Sequence, residues 1–298
     1  MPKFAIPNPQ NDRRMKRPFP TAILSCLVFA LVTLFAATSF TSCGNDDPAP
    51  LRPTLPSTNS THVRTITRLG SVESSYDWQF TYAGGRLTQA VGTLRDASPQ
   101  IDRSFSYTSR LAYKSRAVTM NTTSGENVKL HLNMLGLIDQ MTVNRNVYTF
   151  SYDANGRLIT WTKTVFEESL GQAQQYNSSA VIAYTPTGAL NQITYNGTDS
   201  RRVILTFTNL AQANVDGLMP PTVSQEMGIL GYEQLFYAGL LGKAPAQLVQ
   251  SVTREYPDAV PSAPAATTTF EYGFHNGSVT LCNYHVADGA VASVSYTY

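Results

Sequence analysis

Three short stretches set the period of this chain. Trp78, Phe80 and Tyr82 alternate with Gln79 and Thr81, Val128, Leu130 and Leu132 with Lys129 and His131, and Tyr148, Phe150 and Tyr152 with Thr149 and Ser151. A period of two places the apolar members on one face of a strand and the polar members on the other. Val203, Leu205 and Phe207 follow the same rule less cleanly, opposed by Ile204 and Thr206. Turn signals fall between such stretches at Gly84-Gly85, Ser124-Gly125, Leu135-Gly136, Arg145-Asn146, Asn155-Gly156, Thr187-Gly188, Asn196-Gly197, Asn276-Gly277 and Asp288-Gly289. Asn-Gly and Asp-Gly supply the positive φ that tight hairpins need. Strands at roughly 8–12-residue spacing predict an antiparallel meander, here of about fourteen to sixteen strands. So many strands in one sheet must curl, split or close. The expectation is a mainly all-β fold, a large curved meander or partly closed barrel.

One segment departs from the period. Ile229 to Leu241, "ILGYEQLFYAGLL", is apolar nearly all round and is followed by Gly242 and Pro245. Gly and Pro just past an apolar run are helix stop signals, and a helix apolar on every side must be buried. The pattern predicts one helix over 229–241 in the concavity of the sheet. Val215 to Gln225, with Pro220-Pro221, and the Pro-rich 257–264 read as loops; Leu248 to Tyr256 and Thr267 to Tyr298 read as strands.

The amino-terminal portion has a different character. Arg13, Arg14, Lys16 and Arg17 precede an apolar run from Ala22 to Ala37. That run suits a signal-peptide core and is short for a membrane helix, which needs ~20 apolar residues. Phe40-Thr41-Ser42-Cys43-Gly44 then sets small residues directly before a cysteine. The arrangement resembles a bacterial lipobox, which implies cleavage before Cys43 and a diacylglycerol on its sulfur. Residues 1–42 are thus expected to be a lipoprotein signal peptide, with Met15 an alternative start. Residues 43–62, rich in Pro, Ser, Thr and Asn, have too little apolar surface to fold and are expected to tether a single β domain over 63–298.

Processing alters composition and charge. Residues 1–42 hold five of the 22 basic and one of the 20 acidic residues, which leaves seventeen against nineteen, a net charge of −2. The pI of 8.4 belongs to the precursor, and neither charge nor sequence offers a track for nucleic acid. Cys26 leaves with the signal and Cys43 takes the lipid, so Cys282 is the remaining thiol of three and no internal disulfide framework is expected. About 255 residues remain, ample for a core. Charged residues make up 14%, well below the ~25% of an average domain; Ser, Thr, Asn, Gln and Tyr stand in their place.

Catalytic constellations fail on geometry. Glu167 and Glu168 point to opposite faces if they lie in a strand, and are expected in the loop before Gly171. Cys282 and His285, three apart on a strand, also face opposite ways, which favours a core Cys282 over a nucleophile. His62, His131, His275 and His285 lack metal-ligand spacing, and none of the phosphate, nucleotide or hydrolase motifs is present. No metal or cofactor is expected, and a site assembled from distant residues stays open. The 16 Tyr, 13 Phe and 2 Trp suit stacking on glycans or peptides and equally suit cross-strand pairs worth roughly 0.2–1 kcal/mol each. Trp78 and Trp161 are the first candidates for a ligand-binding face. The ending "VSYTY" resembles the last strand of an outer-membrane barrel, but such a barrel needs an uninterrupted lipid-facing band. Arg103 interrupts one by sharing a face with Ile101, Phe105 and Tyr107, which favours a barrel-like domain in water and leaves an outer-membrane-inserted barrel as the alternative.

Two fragments, "FTYAGGRLTQA" from Phe80 and "FSYDANGRLITW" from Phe150, resemble YD repeats, with fainter echoes from Ile182 and Phe270. Seventy residues separate the two good copies, so the hollow shell built by long repeat arrays is not expected. The whole chain is similar to a family of Bacteroidetes lipoproteins, a domain of unknown function with a porin-like fold. That resemblance rests on the lipobox, the acidic Asp46-Asp47 tether, the "Y…GRL" hairpins and Gly231-Tyr232-Glu233…Tyr237-Ala238-Gly239-Leu240-Leu241-Gly242-Lys243. It implies a curved many-stranded sheet or barrel, lipid anchoring at the outer membrane and, from the acidic tether, display to the cell exterior. It brings no catalytic residues.

Overall fold

The computed structural model describes residues 63–298 except 71–73, 97–104, 170–171, 199–200, 260–262 and 288. The signal segment, Cys26, Cys43, the 43–62 segment, His62 and Arg103 lie outside the described residues.

Sixteen antiparallel strands form one closed barrel in sequence order. They are β1 (Thr65–Gly70), β2 (Ser74–Ala83), β3 (Arg86–Asp96), β4 (Phe105–Tyr113), β5 (Ala117–Thr122), β6 (Asn127–Leu132), β7 (Ile138–Val143), β8 (Asn146–Tyr152), β9 (Leu158–Ser169), β10 (Gln172–Tyr184), β11 (Leu190–Asn196), β12 (Arg202–Ala213), β13 (Gln247–Glu255), β14 (Ala266–His275), β15 (Ser278–His285) and β16 (Val291–Thr297). The barrel closes where β1 meets β16 through Thr65↔Thr297, Ile66↔Tyr296 and Thr67↔Ser295, so no sheet edge is left between them. In β1 the register shifts between Ile66 and Leu69. Arg68 takes φ 62 there, and its amide donates to Asp77 Oδ1 at 2.8 Å.

The period-two pattern decides which face looks inward. Trp78, Phe80, Val128, Leu130, Leu132, Tyr148 and Phe150 are all buried in the lumen, whereas Gln79, Lys129, His131, Thr149 and Ser151 are exposed on the wall. Hydroxyl pairs share hydrogen bonds across the outer face at Thr65–Thr297 (2.7 Å), Thr93–Ser106 (2.8 Å), Thr149–Thr162 (2.6 Å), Thr208–Ser251 (2.7 Å) and Thr253–Thr267 (2.9 Å). Phe166, Val181 and Val291 are scattered apolar exceptions. Tyr296 of the terminal strand is buried inward, and Tyr298 follows it, its hydroxyl donating to Val279 O at 2.8 Å. They do not form a lipid-facing girdle. Glu167 and Glu168 belong to β9, not to a loop as expected.

Antiparallel order puts the starts of odd strands and the ends of even strands at one end, here termed proximal. The chain enters the barrel there at Val63. The "Y…GR" hairpins turn there too, and their tyrosines cinch the rim. Tyr82, Tyr113, Tyr152 and Tyr272 donate to the carbonyls of Val63, Leu87, Ile138 and Val249 at 3.1, 2.8, 2.6 and 2.9 Å.

Sixteen strands enclose enough width for a water-filled channel in a porin. In this barrel the link from β12 to β13, residues 214–246, folds into the lumen instead. It carries the expected helix only as α1 (Gln234–Tyr237), a four-residue turn. Gly231 (φ 80) and Gly239 (φ 71) bracket α1 in the left-handed region, which ends helices. The all-round apolar character of 229–241 signals burial inside a ring of strands, not a long helix. Leu218, Met219, Val223, Met227, Ile229, Leu235, Phe236, Leu240 and Leu241 are each at most 4% exposed, and burial of a large apolar side chain is worth roughly 1.5–3 kcal/mol.

Candidate functional site

The lumenal segment is fastened at the proximal end by backbone hydrogen bonds. Ile138 N donates to Leu240 O (2.8 Å), Lys243 N to Gly156 O (2.8 Å), Ala246 N to Gly188 O (2.9 Å) and Asn214 N to Ala246 O (2.9 Å). Buried Asp216 accepts from Val279 N at 2.8 Å. From there the segment climbs to the distal end and returns. Near the top Trp161 Nε1 donates to Glu226 O at 2.8 Å. Arg254 pairs with Glu226 at 3.2 Å and also bonds the Thr222 carbonyl.

Trp78 and Trp161 are therefore interior residues, 0% and 2% exposed. Trp78 stacks between Tyr76 (5.8 Å between centroids) and Phe80 (6.0 Å), with Tyr107 edge-on at 5.7 Å. Its six-membered ring lies so close to the Gly92 backbone that a Cβ at 92 would sit 2.7 Å from Trp78 Cζ3. Trp161 covers Gly228 in the same way, 2.5 Å from a would-be Cβ. This corrects the expectation that the two tryptophans form an open binding face: both pack the lumen.

Among the described residues an open pocket lies at the distal mouth. Tyr76, Tyr107, Ser124, Glu126, Leu230, Gly231 and Tyr232 line a pocket of about 240 Å3. Antiparallel pairing supplies its parts: Tyr76 near the start of β2, Tyr107 near the start of β4, Glu126 on the β5–β6 turn, and the tip of the lumenal segment. Tyr232 donates to Glu126 Oε2 at 3.2 Å, and Tyr107 donates to the Gly231 carbonyl. Leu230, half exposed, stands on the rim. Burial first, then the nearby carboxyl groups of Glu233 and Glu126, raise the hydroxyl pKa of Tyr76; burial likewise raises those of Tyr107 and Tyr232. The three phenols stay protonated, and Glu126 is the one acidic side chain lining the pocket.

Behind the pocket sits Glu233, 0% exposed. Among the described residues neither carboxyl oxygen meets full hydrogen-bond geometry, although its own amide, the Gly231 amide and the Ser224 hydroxyl lie close enough to interact. Burial pushes its pKa up to about 7, only partly offset by its own amide, the Gly231 amide and the Ser224 hydroxyl. Its neighbour Gln234 is equally buried and reaches Ser109 Oγ at 3.4 Å. A carboxyl group so fully buried in a lumen this apolar stays neutral more cheaply than charged.

The remaining candidates do not converge. Cys282 is buried and free, its thiol pushed up to about 12 by burial, while His285 lies on the wall near Glu271 (3.9 Å). His131 pairs with Asp139 at 2.6 Å, also outside. Among the described residues no three metal-ligating side chains come together. Sequence reasoning passed over Tyr76, Tyr107, Glu126, Tyr232 and Glu233 as site residues. One signal was available for Glu233: it is the single carboxylate in an apolar run.

This architecture is that of a porin-like antiparallel barrel. The chain is similar in fold to a porin-like protein from Bacteroides uniformis ATCC 8492, with a TM-score of 0.63 and 21% identity over 82% of this chain and 99% of that one. A porin-like protein from Bacteroides vulgatus ATCC 8482 aligns with a TM-score of 0.51 and 9% identity over 80% of this chain and 99% of that one. No protein-family model matches the chain, and no curated protein does.

Proposed function

We propose that this is an exported lipoprotein, anchored through acylated Cys43 in the outer membrane and facing the cell exterior, whose barrel is a non-enzymatic binding or scaffold module. The observation that carries this reading is the inverted polarity of the barrel. Its apolar face lines a lumen filled by residues 214–246, and its outer wall is laced with Thr and Ser hydroxyl pairs. A conducting barrel in lipid needs the reverse, a polar lumen and an apolar belt. The fold is porin-like, the proposed role is not: a sealed body in water, held to lipid by its amino-terminal chain.

The distal pocket is the place offered to a ligand. Three phenol rings and one carboxylate around a space of about 240 Å3 suit a sugar ring or a peptide side chain, recognised by aromatic contact and by hydrogen bonds to the Tyr76 hydroxyl, the phenol lone pairs and Glu126. Chemistry at this pocket is the other reading with an observation behind it, because Glu233 lies behind Tyr76 and Tyr107 with a pKa near neutrality. Its complete burial keeps it off the pocket wall, which favours binding.

Anchoring is tested by Cys43→Ala, which should move the protein from the membrane to soluble fractions. Retention on membranes after a carbonate wash would overturn the anchor and favour an inserted barrel. A thermal-shift screen of the same variant against glycans and peptides tests binding, since a ligand at 100 times its Kd adds about 2.7 kcal/mol to the native state. A hit abolished by Tyr232→Ala locates the ligand at the pocket.

A further inference from the structure

The charges of the described residues are distributed unevenly between the two ends of the barrel. At the proximal end Arg64, Arg86, Lys114, Arg116 and Lys243 are all exposed, and among the described residues none of them is in an ion pair. They follow one another around half the rim, from β1 through the β2–β3 and β4–β5 turns to the carbonyl of Gly156 in the β8–β9 turn, which holds Lys243. Between the last two positions the β6–β7 turn pushes out Met134 and Leu135, 65% and 57% exposed. The Arg116 guanidinium lies against the Met134 sulfur. Phe274, 48% exposed, adds a third apolar side chain across the rim.

Among the described residues the carboxylate side chains at this end are few and engaged. Asp153 is bonded to Arg157, Asp139 to His131, and Asp216 is buried. At the distal end the balance differs: Arg95, Arg202 and Arg254 are matched by Asp77, Asp258 and Glu226.

We infer that the proximal rim is a docking surface for an anionic phospholipid membrane, with the basic arc against lipid phosphates and Met134 and Leu135 dipping among the headgroups. Charge complementarity argues for this occupant, as does exposed apolar surface ringed by cations. Covalent connectivity argues for it independently: residues 43–62 join the barrel at Val63, on this same rim. Docking holds the distal pocket outward, away from the lipid. The inference rests on the anchoring reading for its orientation, but not for its test.

The test uses the chain from residue 43 with Cys43→Ala, which carries all sixteen strands and the lumenal segment and needs no lipid. Cosedimentation is measured with vesicles of phosphatidylcholine and phosphatidylglycerol (7:3) and of phosphatidylcholine alone, at low and high salt. Binding is expected to the anionic vesicles and to fall as salt rises. Lys114→Glu with Arg116→Glu should weaken it at least about 25-fold, roughly fivefold for each basic residue lost. Lys129→Glu with Arg202→Glu, the same change in net charge placed on the wall and distal end, should change it less than about threefold. Met134→Ser with Leu135→Ser should weaken it severalfold at unchanged charge. Equal binding to both vesicle types, or equal loss in the two charge-reversal pairs, would overturn the inference. Circular dichroism melting of each variant separates lost docking from lost fold, and the fractionation of Cys43→Ala judges the anchor separately.

Discussion

Asp153 and Arg157 close the β8–β9 turn from both sides of one carboxylate. Asp153 Oδ1 accepts from the amides of Asn155 and Arg157, each at 2.9 Å, while Oδ2 takes the Arg157 guanidinium, Nε at 2.7 Å. The guanidinium in turn lies 4.9 Å from the ring centroid of Tyr184 at the end of β10. Arg86 repeats the contact over Tyr113 at 5.5 Å. The tyrosine and arginine of these hairpins are therefore rim fasteners: one bonds back to the preceding strand and the other reaches forward to the next tyrosine.

Burial alone would raise the Asp153 pKa, but the bonds from the Arg157 amide and guanidinium and the Asn155 amide outweigh it and hold the carboxyl below its usual range. The stabilisation is therefore present above the unfolded value of about 3.8 and is lost as pH falls through the lower folded value. Asp153→Ala should cost about 2 kcal/mol near neutral pH, the scale of hydrogen bonds to a charged group. The gap between variant and parent in urea melts should narrow below pH 4. A gap independent of pH would mean that the charge contributes nothing.

Glu233 predicts the opposite pH dependence. Its pKa is raised from 4.5 to about 7, so the neutral form belongs to the folded state. That contribution is whole below pH 4.5 and lost as pH rises through about 7, a loss on the order of a few kcal/mol. Glu233→Gln keeps the shape without the charge, so the variant should melt near the parent at pH 4 and above it at pH 8. A parent whose melting point is flat between these limits would show that the carboxylate is paired in the lumen.

The alternation that places Trp78, Phe80, Leu130 and Phe150 inward was legible from three short stretches, because a sheet buried on one face writes its register into the sequence. Closure was not. The Thr65↔Thr297 pairing joins residues 232 apart, and nothing local in either strand names its partner. The segment 229–241 misled for a related reason: apolar residues on all sides report an environment closed all round, whether helix or looped chain fills it. Gly231 and Gly239 were visible as helix-weak positions, yet their left-handed φ became evident only with the strands around them. Tyr76, Tyr107, Glu126 and Tyr232 come from four elements that meet only where the lumenal segment folds back against the curled sheet.

Gly92 tests the packing of the lumen. Trp78 is paired with Gly92 across β2–β3 and is wedged by Tyr76, Phe80 and Tyr107, so it cannot retreat from an added methyl. Gly92→Ala should destabilise by about 1–3 kcal/mol through overpacking, against the gain of several tenths that Ala gives over Gly in an unhindered strand. Pairing it with Trp78→Leu in a double-mutant cycle should recover much of that loss. A stabilised Gly92→Ala would refute the close contact.

Cys282 offers a direct reading of lumen access. It lies inside β15 at 0% exposure, opposite Tyr272 in the β14–β15 register. Burial pushes its thiol up to about 12, the Tyr272 hydroxyl only partly opposing. At pH 8 a thiol so shifted is ionised in roughly one molecule in ten thousand, and the thiolate is the reacting form. In the chain from residue 43 with Cys43→Ala it is the sole thiol, so labelling with an aromatic disulfide reagent reports this position alone. Labelling of the native protein should be slower by several orders of magnitude than in urea, and should rise together with the unfolding transition. Completion within minutes under native conditions would mean that the lumen opens on that timescale, and that residues 214–246 do not seal it.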